Sequence, residues 1–436
     1  MCNIAGYVGS DRAAPALIEM MSRQEGWAGG YYTGIATIHE GKLHMRKVVG
    51  DLGQLLRHTD AATLPGTIGI LHSRSASGGD REWAHPFVTA DGTLAYVANG
   101  YLGSFAKTTD VNAVAARLRG AGYTFRSHTR SQVGSYPALA DGSCMHFSDL
   151  MCGLIHYEAS TCWSLGRGMM RAYSAFPGEI VGLAITAADP EAIHAARISM
   201  PMMLGRTDRA LLLATTALAF PDTGVYWVAP VPANTVVRVT QSQFEGMPLE
   251  PCPGATVGPL PWAQAEAAVL AVLADGKPHD LGALKQAVAA AWPADGLQEA
   301  ALVVYEILRG LHRAGRLEVV SRRVEGVLPG LTAPRFSACL RPAPGQSPSQ
   351  APAGTRQKGA PQDTAVTATQ SPGAAPPAAP VHQPPPAAAR ATPDKAAHRV
   401  AAPGDRAPGE PAREHGKSRH PVRHRLRRFL PPLSGF

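Results

Sequence analysis

The chain opens Met1-Cys2-Asn3-Ile4-Ala5-Gly6-Tyr7-Val8-Gly9, a short apolar run whose Ile, Tyr and Val suit a strand. Cys2 stands at its head. Cysteine is small enough for the initiator Met to be trimmed, and trimming would make Cys2 the first residue. Its free α-amine, with a pKa of about 7.7–8.0, then lies beside its own thiol and can take the thiol proton, directly or through one water. Nucleophile and general base would share one residue. Gly6 and Gly9 are expected to let backbone approach a bound substrate. Taken alone, the same letters also describe a strand that happens to start with Cys.

Later segments repeat the pattern of apolar strands ending in polar residues. Residues 68–79 read Ile-Gly-Ile-Leu-His72-Ser73-Arg74-Ser75-Ala76-Ser77-Gly78-Gly79, followed by Ala84-His85-Pro86-Phe87 and by Leu94-Ala95-Tyr96-Val97-Ala98-Asn99-Gly100. In these segments the chain resembles the glutaminase domain of the class II glutamine amidotransferases, such as glucosamine-6-phosphate synthase and amidophosphoribosyltransferase, which are N-terminal-nucleophile hydrolases. The family stretch His-Thr-Arg-Trp-Ala-Thr-His-Gly is similar to residues 72–79, and its Ala-His-Pro and Asn-Gly elements to Ala84-His85-Pro86 and Asn99-Gly100. Gly122-Tyr123-Thr124-Phe125-Arg126-Ser127, Met200–Gly205 and Thr215–Phe220 resemble further family segments. The likeness implies an α+β fold for residues 1–248, a four-layer αββα sandwich. Strands at 179–185 and 235–239 would belong to its second half, with Met200, Met202, Met203, Tyr226 and Trp227 in the core.

The resemblance also implies roles. The Cys2 thiolate would attack a side-chain carboxamide, and the Asn99 side chain and the Gly100 N–H would hold the oxyanion, each such donor being worth about 2.7–4 kcal/mol of barrier. Arg74 would clamp the substrate carboxylate through its guanidinium fork, with Ser75 and Ser77 lining the substrate. No metal or cofactor enters this chemistry. The substrate would be glutamine or a related amide.

Departures from the family pattern are as informative. The family Ser-x-Thr-Asp-Thr-Glu is here Ser127-His128-Thr129-Arg130-Ser131-Gln132, so a cation stands where the family Asp holds the glutamine ammonium. Like charges in close contact repel, by several kcal/mol where solvation is poor. The family Arg-Gly-x-Asp is altered to Ala28-Gly29-Gly30-Tyr31, and its Trp and second His have become Ser75 and Gly78. Three expectations follow: another acid such as Asp141 meets the ammonium, the amide is not free glutamine, or turnover is low.

After Pro259-Leu260-Pro261 the chain turns alanine-rich, with helical apolar spacing over 265–274, 281–291 and 299–314, Gly315 as a cap, and hairpin-like alternation over 316–327. Residues 260–335 therefore resemble a winged helix, suited to protein contacts at least as well as to DNA. This region is too short for a fused sugar isomerase or phosphoribosyltransferase, which puts any ammonia acceptor in trans. From Arg341 onward there are 14 Lys+Arg against 5 Asp+Glu, and 19 of the 38 prolines. That net of +9, against +8 for the whole chain, leaves the first 340 residues near −1. Residues 341–436 are expected to be a disordered basic tail, able at most to make weak contact with nucleic acid or an anionic surface. Six cysteines lack zinc-type spacing, and no apolar run is long enough to span a membrane. A reducing cytoplasm suits a working thiolate. A catalytically weak ligand-binding or scaffold protein is the alternative to an enzyme.

Overall fold

The computed structural model describes residues 2–101, 109–134, 136, 138–249, 260–290 and 299–341. Two antiparallel sheets carry the architecture. The first has the spatial order β11 (Trp227–Pro230), β9 (Met203–Arg206), β10 (Ala210–Ala214), β1 (Asn3–Gly9), β4 (Ile68–Arg74), β2 (Tyr32–His39) and β3 (Lys42–Val49). The second runs β13 (Phe244–Pro248), β12 (Thr235–Val239), β8 (Asp189–Arg197), β7 (Glu179–Thr186), β6 (Leu94–Tyr101) and β5 (Phe87–Val88).

Side chains alternate across a strand, and β1 shows how this builds layers. Ile4 and Val8 point into an apolar core shared with Val97, Val181 and Leu183 of the second sheet. Ala5 and Tyr7 point the other way, against Leu17, Met20 and Met21 of helix α1 (Ala13–Gln24) and toward α2 (Leu52–His58). On the outer face of the second sheet, Tyr96, Ile180 and Val236 pack against α3 (Val111–Gly120), α4 (Phe147–Cys162) and α5 (Leu165–Ala175). The order of layers is helix, sheet, sheet, helix.

Gly6 corrects one expectation. A Cβ there would lie 2.9 Å from Leu183 Cδ1 and 3.2 Å from Ile193 Cδ1, so its role is close sheet-to-sheet packing and not approach of a substrate. Gly9 likewise abuts Ala210 and the Arg209 carbonyl. Met202 and Met203 are buried as expected, whereas Tyr226 is 61% exposed.

The region beyond residue 260 forms helices α6 (Trp262–Leu273), α7 (Leu281–Ala289) and α8 (Ala300–Arg313) with a small sheet ordered β14 (His279–Asp280), β16 (Thr332–Leu340) and β15 (Leu317–Glu325). Alternation over 316–327 suits a whole hairpin, but the structure has a single strand there whose partner is Thr332–Leu340, the turn falling at Gly326–Leu331. Gly315, at φ 68°, ends α8: its N–H bonds to His312 O at 2.9 Å and that of Arg316 to Leu311 O at 2.9 Å, a Schellman cap. Val303, Ile307 and Leu308 of α8 share one core with Leu17, Met20 and Phe220. These helices are thus built into the outer face of the first sheet.

Candidate active site

β1 lies between β10 and β4, so the head of the chain is held at the middle of a sheet. Cys2, 9% exposed, is fixed there by one side chain from the other sheet: its N–H donates to Asn99 Oδ1 at 3.1 Å, and Asn99 Nδ2 donates to Cys2 O at 3.2 Å. Asn99 is buried on β6, and the following Gly100 takes φ 136°, a conformation that favours glycine. The Cys2 Sγ lies 3.9 Å from Ser75 Oγ. Of the other described cysteines, Cys144, Cys152 and Cys339 are buried and Cys162 is half-buried, while burial drives the Cys152 thiol far up. Cys252 lies outside the described residues.

Arg74 ends β4, opposite Tyr32 in register. Its guanidinium carbon sits 3.9 Å over the Tyr32 ring. It donates to Ser77 Oγ and to Tyr136 Oη, each at 3.0 Å, and to the Gly78 carbonyl. Its Nε has no partner, and no described carboxylate pairs with it. At 1% exposure this is a buried cation met only by neutral groups.

Behind Arg74 lie three buried imidazoles. The His72 and His85 rings, tilted by 33°, have centroids 3.9 Å apart, and the His146 ring centroid stands 5.0 Å from that of His85. Burial, reinforced by neighbouring cations and imidazoles, pushes His85 and His146 well below the usual histidine range and His72 down to about 3, so all three are neutral near pH 7. His146 Nδ1 accepts from Ser148 N–H at 3.0 Å, capping α4, which leaves its Nε2–H to donate to Tyr136 Oη at 2.8 Å. Among the described residues no group of three or more His, Cys, Asp or Glu is placed to hold a metal ion.

On the other flank is Glu25, 5% exposed. It accepts from Ser73 Oγ and the Leu52 N–H, both at 2.8 Å, and from Thr33 Oγ1 at 3.2 Å, yet burial outweighs these bonds and raises its carboxyl to about 7.

No protein-family profile matches the chain. The glutamine–fructose-6-phosphate aminotransferase of Rhizobium leguminosarum bv. viciae is 31% identical over 221 residues, 50% of this chain and 32% of that enzyme. Its counterpart from Pyrococcus horikoshii is 27% identical over 222 residues, 50% of this chain and 33% of that enzyme. Over half its length this chain is a homologue of the glutamine–fructose-6-phosphate aminotransferases. The resemblance to class II glutamine amidotransferases therefore stands, although the chain spans only about a third of the length of these relatives. Among solved structures, a glutamine phosphoribosylpyrophosphate amidotransferase from B. subtilis superposes with a TM-score of 0.48 at 15% identity, covering 70% of this chain and 64% of that one.

Among the residues quoted from the sequence, the structure brings Cys2, Ser75 and Asn99 together, and joins Arg74 to Ser77. Arg130 is exposed, beside the isolated Thr129–Cys144 bridge, its side chain makes no ion pair among the described residues, and the segment after it packs on the site loop, where a Cβ on Gly134 would lie 2.3 Å from the Ser77 carbonyl. Asp141 is bonded by the Ser143 hydroxyl and N–H and paired with Arg119 at 3.0 Å, which in that order of weight hold its carboxyl down at about 2. Sequence reasoning missed Tyr136, His146 and Glu25. His146 precedes a helix as a cap should, but Tyr136 reaches Arg74 across 62 positions, and no local pattern announces that.

Proposed function

We propose that this chain hydrolyses a side-chain carboxamide, glutamine or a close relative, with Cys2 as an N-terminal nucleophile. The observation that carries the reading is the two-way clasp between Cys2 and Asn99. Loss of Met1 would turn the nitrogen held by Asn99 Oδ1 into a primary amine next to Sγ, the base the thiol needs. The thiolate adds to the amide carbon, Asn99 and the Gly100 N–H receive the oxyanion, and the collapsing intermediate expels ammonia, protonated by the amine. Water then hydrolyses the thioester to the acid. Arg74 is the anchor for a substrate carboxylate, with Ser75 and Ser77 beside it. Residues 1–248 are read as the amide-hydrolysing domain, and the ammonia acceptor is supplied in trans by a protein of the cytoplasm. The order α6-β14-α7-α8-β15-β16 supports a winged-helix reading of 260–335 as a surface for protein contact. The basic segment 341–436 adds weak attraction for anionic surfaces at most.

One observation favours the second reading, a ligand-binding or scaffold protein with little turnover: the Arg74 guanidinium is already taken by Ser77, Tyr136 and the Gly78 carbonyl. Ammonia release from glutamine by the Met-trimmed protein separates the two. Release that disappears in Cys2→Ala supports the enzyme; binding of glutamine without release supports the scaffold.

A further inference from the structure

The loop at 25–31 is gripped from both sides. Its inner side touches the two residues flanking the candidate nucleophile and clamp: Asn3 Nδ2 donates to Ala28 O at 2.8 Å and to Gln24 O at 2.7 Å, and the Gly30 N–H donates to Ser73 Oγ at 2.7 Å. Asn3 and Ser73 are cross-strand partners, one residue after Cys2 and one before Arg74. At Gly29, φ 71°, a Cβ would lie 2.5 Å from the Ser73 carbonyl, so the contact tolerates no side chain.

The outer side is held by β16. Arg335 Nη1 donates to the Gly29 carbonyl at 2.9 Å, and its guanidinium stands 4.7 Å from the Tyr31 ring centroid. Phe336 meets Trp27 edge-on with centroids 5.6 Å apart, and a Cβ on Gly26 would fall 2.3 Å from the Phe336 ring. Arg323 of β15 adds a second anchor, an ion pair with Asp51, which caps α2. Glycines at 26, 29 and 30 thus receive consecutive residues of a strand more than 300 positions away. An arginine reaches this segment from β16, where Ala28 replaces the arginine of the family pattern.

We propose that the β15–β16 hairpin is a positioning arm for the Cys2–Arg74 site: Arg335 and Phe336 set the 25–31 loop, and the loop sets Asn3 and Ser73 and with them Cys2 and Arg74. The proposal rests on the amide-hydrolysis reading for its purpose, but its mechanical part can be read without turnover. A partner that bends the hairpin would then be felt at the nucleophile.

The test compares full-length wild type with Arg335→Ala, Phe336→Ala and Arg335→Lys. Two rates are read at Cys2 by peptide mapping: labelling by a glutamine-like diazoketone, which needs recognition, and alkylation by iodoacetamide, which needs only access. Misplacement by an ångström can cost up to about a hundred-fold, so Arg335→Ala should lower diazoketone labelling by about ten-fold. Iodoacetamide alkylation should instead rise as the loop loosens. One lost hydrogen bond lowers Tm by no more than about 4 °C in a domain of this size. Arg335→Lys keeps a donor for Gly29 and should recover diazoketone labelling. Both rates unaltered in Arg335→Ala and Phe336→Ala overturns the arm, as does a fall in both with a large loss of Tm that lysine does not restore. Should wild type take no diazoketone, the amide-hydrolysis reading fails, and the iodoacetamide rate alone decides the arm: a rise supports it, no change overturns it.

Discussion

Arg74 pays its desolvation with neutral partners. A guanidinium at 1% exposure, bonded to two hydroxyls and a carbonyl and stacked on Tyr32, has no counter-charge of its own. Uncompensated buried charge is costly, which makes this position receptive to an anion and dependent on every donor and acceptor around it. Tyr136→Phe removes the hydroxyl that serves both Arg74 and His146, and urea unfolding should show a loss of about 1–3 kcal/mol. Arg130 differs. It is exposed and stands where the family pattern has the acid that meets the glutamine ammonium, so Arg130→Asp should lower the KM for glutamine, whereas Arg74→Ala should raise it; steady-state kinetics of ammonia release measures both. Glu25 gives a prediction with a sign. Its carboxyl titrates at about 7 in the fold against 4.5 when free, so between these values the folded chain binds the proton that the unfolded chain has released. Its contribution is present below the free value and is lost as pH rises through the folded one, by about 3 kcal/mol in all. The difference in urea midpoint between wild type and Glu25→Gln, followed from about pH 5 to about pH 8, should shift in the direction of a wild type weakening with pH.

At the scale of elements, what the sequence disclosed follows from period. Strand and helix periodicities place apolar residues on one face whatever the partner, so 235–239, the helices beyond 260 and the Gly315 cap were readable in advance. Partners were not. Alternation over 317–325 looks the same in a hairpin and in one long strand, and only pairing with 332–340 distinguishes them. Gly6 likewise reads as freedom of backbone until Leu183 of the other sheet is seen against it. The candidate site divides along the same line: Cys2, Arg74 and Asn99 lie in motifs, while Tyr136, His146 and Glu25 arrive through tertiary packing. Gly34 offers a test at this scale. A Cβ there would fall 2.2 Å from the His85 carbonyl and 2.7 Å from Lys47 Cβ, both on framework that cannot yield, so Gly34→Ala should cost about 1–3 kcal/mol or more in chemical denaturation.

For the whole molecule, the consequential feature is that α6, α7 and α8 pack on one another and belong to the same apolar core as the first sheet's helical layer. Val303, Ile307 and Leu308 share that core with Leu17, Met20 and Phe220, and removing everything after residue 260 would expose part of it to water. Such a truncation should lower Tm sharply and expose apolar surface to dye, whereas an independent domain would leave the N-terminal part unaffected. The hairpin contact with the 25–31 loop gives this shared core a further meaning, since the same C-terminal elements that stabilise the sheet also reach the residues around Cys2. All of the proposed chemistry depends on Cys2 being the nucleophile. Intact mass and peptide mapping of the purified protein after a glutamine-like diazoketone test it most directly. Loss of Met1 and a single adduct on Cys2 are expected. Retained Met1, or an adduct on Cys144, Cys152 or Cys162 in place of Cys2, would contradict it.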